Sequence, residues 1–185
     1  GRFLAEHGGT RDTLEEASTA FTRALVAQPG FLPALREQVA VQMEMGNGGA
    51  ALSLCRRFLE ERPEDTAMLL RKALLLFQEG WELEEALAAV EKALEAGETP
   101  GALFLKGRIL LALDRPEACI ETLQTAAEGS VDAGPNIDVA MAQAHLRTGR
   151  TGLARMFLER AEEKVRQGAA VDEELIEEVR AALES

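Results

Sequence analysis

The chain has no tyrosine, one tryptophan and only 4% aromatic residues in 185. All-β cores draw on aromatic and β-branched side chains, so this scarcity argues for helices whose interior is built from Leu, Ala and other small or flexible residues. Two cysteines, Cys55 and Cys119, stand far apart and outside any Cys-x-x-Cys pair, which excludes a disulfide framework or a zinc ribbon. They read as small core residues in a reducing compartment, and a cytoplasmic location is expected. Histidine is nearly absent: His7 and His145 lie in different parts of the chain. No His-Glu-x-x-His, Gly-x-Ser-x-Gly or Gly-Lys-Ser/Thr motif occurs, and no loop alternates Asp or Asn as calcium ligation requires. Neither a catalytic group, a cofactor site nor a metal site is therefore expected, and the chain reads as no enzyme. No apolar run reaches the roughly eighteen to twenty residues of a membrane span. Basic residues are outnumbered, 20 against 32 acidic, for a net charge of −12. That balance disfavours phosphate backbones and anionic lipids as partners. The opening Gly1-Arg2-Phe3-Leu4 lacks the basic stretch and apolar core of a signal peptide. It is read as the start of a processed chain or of an excerpt, so an upstream signal or anchor stays open.

What is present is 46% hydrophobic and 28% charged residues, a balance that supports a folded core, and an internal repeat. Ala17, Phe21, Ala24 and Pro29 recur 34 residues later as Ala51, Cys55, Phe58 and Pro63. Ala86, Val90 and Ala93 follow after 35, Cys119, Leu123 and Ala126 after 33, and Ala154, Leu158 and Ala161 after 35. A small residue, one four on and one three beyond it share one face of a helix. A second helix precedes each set, separated from it by Gly46-Asn47-Gly48-Gly49, Gly80, Asp114-Arg115-Pro116 or Thr148-Gly149-Arg150-Thr151-Gly152. Ala73, Gly107 and Ala142, 34 and 35 apart, mark where the first helix of a pair presses on the second. The expected helices are a partial one at 2–7 with 13–28, then 33–45 with 49–62, 66–79 with 83–96, 101–113 with 116–128, and 136–148 with 152–167. A last helix at 172–184 starts with Asp172 as its cap. Its apolar stripe of Leu175, Ile176, Val179 and Leu183, acidic elsewhere, reads as a capping helix. The fold expected is all-α: about five antiparallel helix pairs in one domain, repeats 1–31, 32–65, 66–99, 100–134 and 135–168.

Acid pairs Glu15-Glu16, Glu84-Glu85 and Glu173-Glu174 fall at helix starts, where negative charge suits the dipole, rather than in a general acid/base arrangement. Trp81, after Gly80, is expected as a wedge between repeats.

This punctuation resembles the tetratricopeptide-repeat family over residues 1 to 168. The residues that carry it are Ala17, Phe21, Ala24, Pro29, Leu35, Gly46, Ala51, Phe58, Pro63, Leu69, Ala73, Leu76, Gly80, Ala86, Ala93, Gly107, Leu110, Ala126, Ala142, Gly149, Ala154 and Ala161. Departures are Leu35, Leu69 and Leu103 in place of first-helix aromatics, the missing closing proline of the last three repeats, and the shortened first repeat. His145 occupies a slot where the family has a large packing aromatic, and packing is its expected role. The resemblance implies a right-handed superhelix (solenoid) whose first helices line a concave groove, and a non-enzymatic protein-binding scaffold.

The groove positions of the family fall on Arg36, Ala40 and Met43, on Leu70, Leu74 and Phe77, on Phe104, Arg108 and Leu111, and on Asn136, Val139, Gln143 and Leu146. For Leu70, Leu74, Phe77 and Phe104 two readings stand: anchors facing a ligand, or burial under tighter packing or under the C-terminal helix. Arg36 and Arg108 either orient an acidic peptide or pair with glutamates of neighbouring repeats. The Lys, Arg and Asn clamp by which some members grip chaperone tails is absent. The expected partner is a peptide or amphipathic helix with an apolar face, with no nucleic acid and no membrane insertion. Two alternatives remain: self-assembly through the uncapped N-terminal end, or service as the regulatory or substrate-recruiting repeats of a larger enzyme or of a secretion or assembly complex.

Overall fold

The computed structural model of the chain describes residues 10–129, 134–171 and 173–184. The expected helix at 2–7, His7, the Asp172 cap and the middle of the 128–135 connection lie outside them. Among the described residues all regular structure is helical. In chain order the helices are α1 (Arg11–Ala27), α2 (Leu32–Glu44), α3 (Gly48–Glu61), α4 (Thr66–Glu79), α5 (Leu83–Leu94), α6 (Pro100–Ala112), α7 (Pro116–Glu128), α8 (Pro135–Arg147), α9 (Thr151–Arg166) and α10 (Glu173–Glu184).

Helix starts follow local chemistry. Pro100, Pro116 and Pro135 open α6, α7 and α8, where a missing N–H costs nothing. Asp65 accepts from the Met68 N–H at 3.0 Å, and Thr99 from the Ala102 N–H at 3.3 Å. The first helices of four repeats end alike. Gly46, Gly80, Asp114 and Gly149 have φ of 74°, 67°, 56° and 72°. The residue after each donates back to a carbonyl five residues earlier, as Trp81 does to Leu76 and Arg150 to His145. This left-handed closure reverses the chain into the second helix and suits glycine, with Asp114 the exception.

The repeat register is a register of burial. Ala17, Ala51, Ala86, Cys119 and Ala154 are all at most 1% exposed, and Cys55, Val90, Leu123 and Leu158 at most 5%. Only in the first repeat are the later positions, Phe21 and Ala24, half-buried.

The chain divides into two compact bodies, Gly1–Ala93 and Leu94–Ser185. In the first, α2 packs on α1 and α3, and α3 on α4. Gln38, buried on α2, donates to Ser18 at 2.9 Å, and Gln42 to the same hydroxyl at 3.0 Å, a polar seam between α1 and α2. On α4 both Met68 and Leu75 and the stripe of Leu69, Ala73 and Leu76 are buried, as a helix between two neighbours requires. In the second body α6 packs on α7 and α8, α8 on α7 and α9, and α10 on α8 and α9. At Gly107 the α6 backbone lies against the Leu123 side chain of α7, and a Cβ there would sit 2.7 Å from a Leu123 methyl. Trp81 is 51% exposed. It is no wedge, because the Gly80 closure turns it outward.

Candidate functional site

In the first body, Pro33 at the second position of α2 places Arg36 one turn later. Its Nη2 donates to Asp65 Oδ2 at 2.6 Å, and its guanidinium carbon lies 5.2 Å from the Phe58 ring centre. Asp65 thus caps α4 with one oxygen and holds Arg36 with the other. Beside them opens a cleft of about 760 Å³ walled by Leu32, Pro33, Phe58 and Pro63. The pairing expected as one of two roles for Arg36 is present, with an aspartate rather than a glutamate. Ala40 and Met43 on α2, and Leu70, Leu74 and Phe77 on α4, are half-buried.

The second body gathers the largest share of the predicted positions. Phe104 and Arg108 are one turn apart on α6, and the Arg108 guanidinium lies 5.9 Å from the Phe104 ring centre. With Asn136, Ala140 and Gln143 of α8 and Leu175 of α10 they surround a hollow of about 240 Å³. Its apolar lining is Ala140, which is buried, and Phe104 and Leu175, which are half-buried. The lining also carries two carboxamides and a guanidinium, from Asn136, Gln143 and Arg108. A carboxamide both donates and accepts, so the pair can meet main-chain amides, while Arg108 can meet a carboxylate.

Three predicted positions of the second body lie away from this hollow. Val139 is 1% exposed, in a core with Ala142, Leu158, Ala161, Ile176 and Val179. It is covered by α10, whose Ile176 and Val179 share that core. Leu111 is also buried, at 8%, and Leu146 packs against the Val139 core. Leu175, taken as part of a cap, is a wall of the hollow.

The position that sequence reasoning missed is Asp138. It is fully buried and accepts from Arg160 Nε at 2.8 Å, with Lys164 Nζ 2.8 Å from its other oxygen. A signal existed: Asp138 falls where the earlier repeats place Leu35, Leu69 and Leu103, and Arg160 and Lys164 are one turn apart. Arg160 also lies 4.8 Å from the Phe157 ring centre, and Phe157 stacks on His145 at 5.3 Å. His145, 4% exposed, is in the packing position expected. Burial, with Arg150 nearby, holds its pKa below the ordinary value.

Both cysteines and Glu85 are shifted away from the neutral range. Burial pushes the Cys55 thiol up to about 11 and the Cys119 thiol to about 12, so both stay protonated at neutral pH and are weak nucleophiles. Lys72, 2.7 Å away, and then Arg56 hold the Glu85 carboxyl down at about 2 against the opposing effect of burial. A general acid or base needs a value near the working pH. Among the described residues no group of three or more His, Cys, Asp or Glu is placed to hold a metal ion, and no helix is long and apolar enough to cross a membrane.

Paired helices at a fixed register, closed by left-handed turns, define a helical-repeat protein. Solved structures identify the repeat type. The chain is similar to MamA 41-end from Desulfovibrio magneticus RS-1, at TM-score 0.81 and 18% identity over 90% of this chain and 94% of that one. It is similar to TTC0263, a thermophilic tetratricopeptide-repeat protein of Thermus thermophilus, at 0.65 and 21% over 94% and 92%. It is also similar to YrrB, a tetratricopeptide-repeat protein with an unusual peptide-binding site, at 0.66 and 19% over 80% and 75%. The fold is that of tetratricopeptide-repeat proteins. No protein-family model and no curated protein matches the sequence.

Proposed function

We propose that the chain is a non-enzymatic protein-interaction scaffold whose binding site in the second body is the hollow of Phe104, Arg108, Asn136, Gln143 and Leu175. The observation that carries this reading is the convergence of three polar heads, one from α6 and two from α8, on one hollow whose apolar lining comes from α6, α8 and α10. A volume of about 240 Å³ accommodates one or two apolar side chains of a peptide. Asn136 and Gln143 then pair with the peptide main chain, and Arg108 with an acidic group on it. The half-buried Met43, Leu70, Leu74 and Phe77 offer apolar contact in the first body, where Arg36, held by Asp65, presents a second cation. That YrrB carries a peptide-binding site on this fold supports the reading. It is tested by selecting peptides from a random display library against the chain. Their affinity is then measured for Phe104→Glu, Gln143→Ala and the outer-face control Glu117→Gln. A loss of tenfold or more, about 1.4 kcal/mol, is expected for the first and none for the control. Equal affinity in all three refutes the site.

A second reading, self-association through the first repeat, is favoured by one observation. Phe21 and Ala24 are half-buried where their register equivalents are closed, and Val26 and Phe31, at the end of α1 and in the link that follows, are 78% and 40% exposed. Light scattering across a concentration series tests it. Growth in mass that Phe21→Glu abolishes supports it, and an invariant monomer excludes it.

A further inference from the structure

The C-terminal helix covers a face that the other repeats leave partly open. Val139 shares its register with Arg36, Leu70 and Phe104, which are half-buried, yet it is sealed by Ile176 and Val179 of α10. Leu175, the neighbour of Ile176, reaches the hollow of Phe104 and Arg108. The seal is narrow: of the residues of α10 only Ile176 and Val179 are buried, with Leu175 and Leu183 half-buried against the same core. Arg180 adds an ion pair to Glu162 of α9 at 2.6 Å. The helix beneath does not depend on it for its own ending. Gly168, at φ 96°, donates to Val165 at 2.9 Å, and Ala169 donates to Lys164 at 3.0 Å, so α9 closes itself before the chain reaches α10. Few buried apolar contacts mark the low-stability end of a fold, from which locally opening elements are drawn.

We infer that the α8–α9 face beneath α10 is a helix-docking surface, which α10 occupies within the chain and a partner helix of the same pattern takes over. That pattern is an apolar pair, an apolar residue three on with a basic one beside it, and an apolar residue four further: Leu175-Ile176, Val179-Arg180, Leu183. Glu162 reads the basic position, and the Val139 and Leu146 surface reads the apolar stripe. Because Leu175 walls the hollow, exchange of α10 also opens the peptide site. This link rests on the scaffold reading, whereas docking itself does not.

The test uses the full chain and a fluorescent synthetic peptide of residues 171–184. In the Ile176→Asp/Val179→Asp chain α10 is undocked and the face is free. Fluorescence anisotropy should show the peptide binding this variant at least tenfold more tightly than the unsubstituted chain. A peptide carrying the same two aspartates should bind neither. A variant that keeps its helical circular dichroism yet gains no affinity for the peptide overturns the inference. Should the variant fail to fold, hydrogen exchange on the unsubstituted chain decides. Amides of α10 exchanging at least tenfold faster than those in the interior of α9 support independent opening, and equal protection refutes it. Neither readout involves Phe104 or Arg108, so loss of the peptide-hollow reading would leave this one standing, and the reverse.

Discussion

Replacing Gly107 by alanine pits two effects against each other. In an open helix position the change is worth about 1 kcal/mol of added stability through helix propensity. Here the new methyl would lie 2.7 and 2.8 Å from Leu123 carbons, well inside the ordinary carbon separation of about 3.5–4.0 Å. Leu123 is fully buried and has no solvent into which to swing. Overpacking of this kind costs about 1–3 kcal/mol. The net expectation is a loss of up to about 2 kcal/mol. The repeat register supplies the remedy, since Ala73 and Val90 occupy the same two positions one repeat earlier. Leu123→Val alone removes buried carbon and costs about 1 kcal/mol. Combined with Gly107→Ala, however, it should recover stability, with a favourable coupling of about 1 kcal/mol or more. Urea unfolding followed by circular dichroism, compared at equal m-values, measures all four corners of the cycle. Stabilisation by Gly107→Ala alone, or additivity within about 0.5 kcal/mol, would show that the α6–α7 contact does not require glycine.

The buried Asp138 should be tolerant in one direction and not in the other. Arg160 and Lys164 keep 48% and 22% of their side-chain surface exposed and can turn to water, so Asp138→Leu, the residue of the earlier repeats, should change stability by less than about 1 kcal/mol. Arg160→Ala/Lys164→Ala strands a buried carboxylate and should cost about 3–5 kcal/mol in the same unfolding assay. Cys55 and Cys119, raised to about 11 and about 12, should resist iodoacetamide in the native chain and both label in denaturant, as read by mass spectrometry. Labelling at native rates typical of free thiols contradicts their burial. Glu85, lowered from 4.5 to about 2, contributes stability that is fully present above its ordinary value and fades as pH falls towards 2. Stability measured against pH should therefore show a gap between the unsubstituted chain and Glu85→Gln that closes across that window. A gap that persists at the acid end would contradict the Lys72 and Arg56 pairing.

Helix positions were legible because burial in this fold is periodic and local. Ala51, Cys55 and Phe58 announce one buried face, and Gly46, Gly80 and Gly149 the turns that follow the first helices. The predicted helix at 116–128 coincides with α7 (Pro116–Glu128), and its neighbours differ by a residue or two at their ends. What could not be read locally was which face lies over which. Asp138 sits in the first turn of α8, where an acid is expected on dipole grounds alone. Its burial depends on Arg160 and Lys164, more than twenty residues away in sequence. Val139 fits the inner-face register, and only the path of α10 across α8 closes it. Leu175 belongs to the apolar stripe of the expected capping helix, and the placement of α10 makes it also a wall of the hollow. For Arg36 the sequence allows either a ligand contact or an ion pair, and the position of Asp65 at the α4 cap supplies the pairing.

The most direct test of the scaffold reading is a nuclear magnetic resonance titration of the full chain with a peptide selected against it. The account predicts that the side-chain amides of Asn136 and Gln143, the Phe104 ring and the Leu175 methyls shift together and saturate with one affinity. Shifts confined to the outward faces of α7 and α9, with those four groups unmoved, would contradict it.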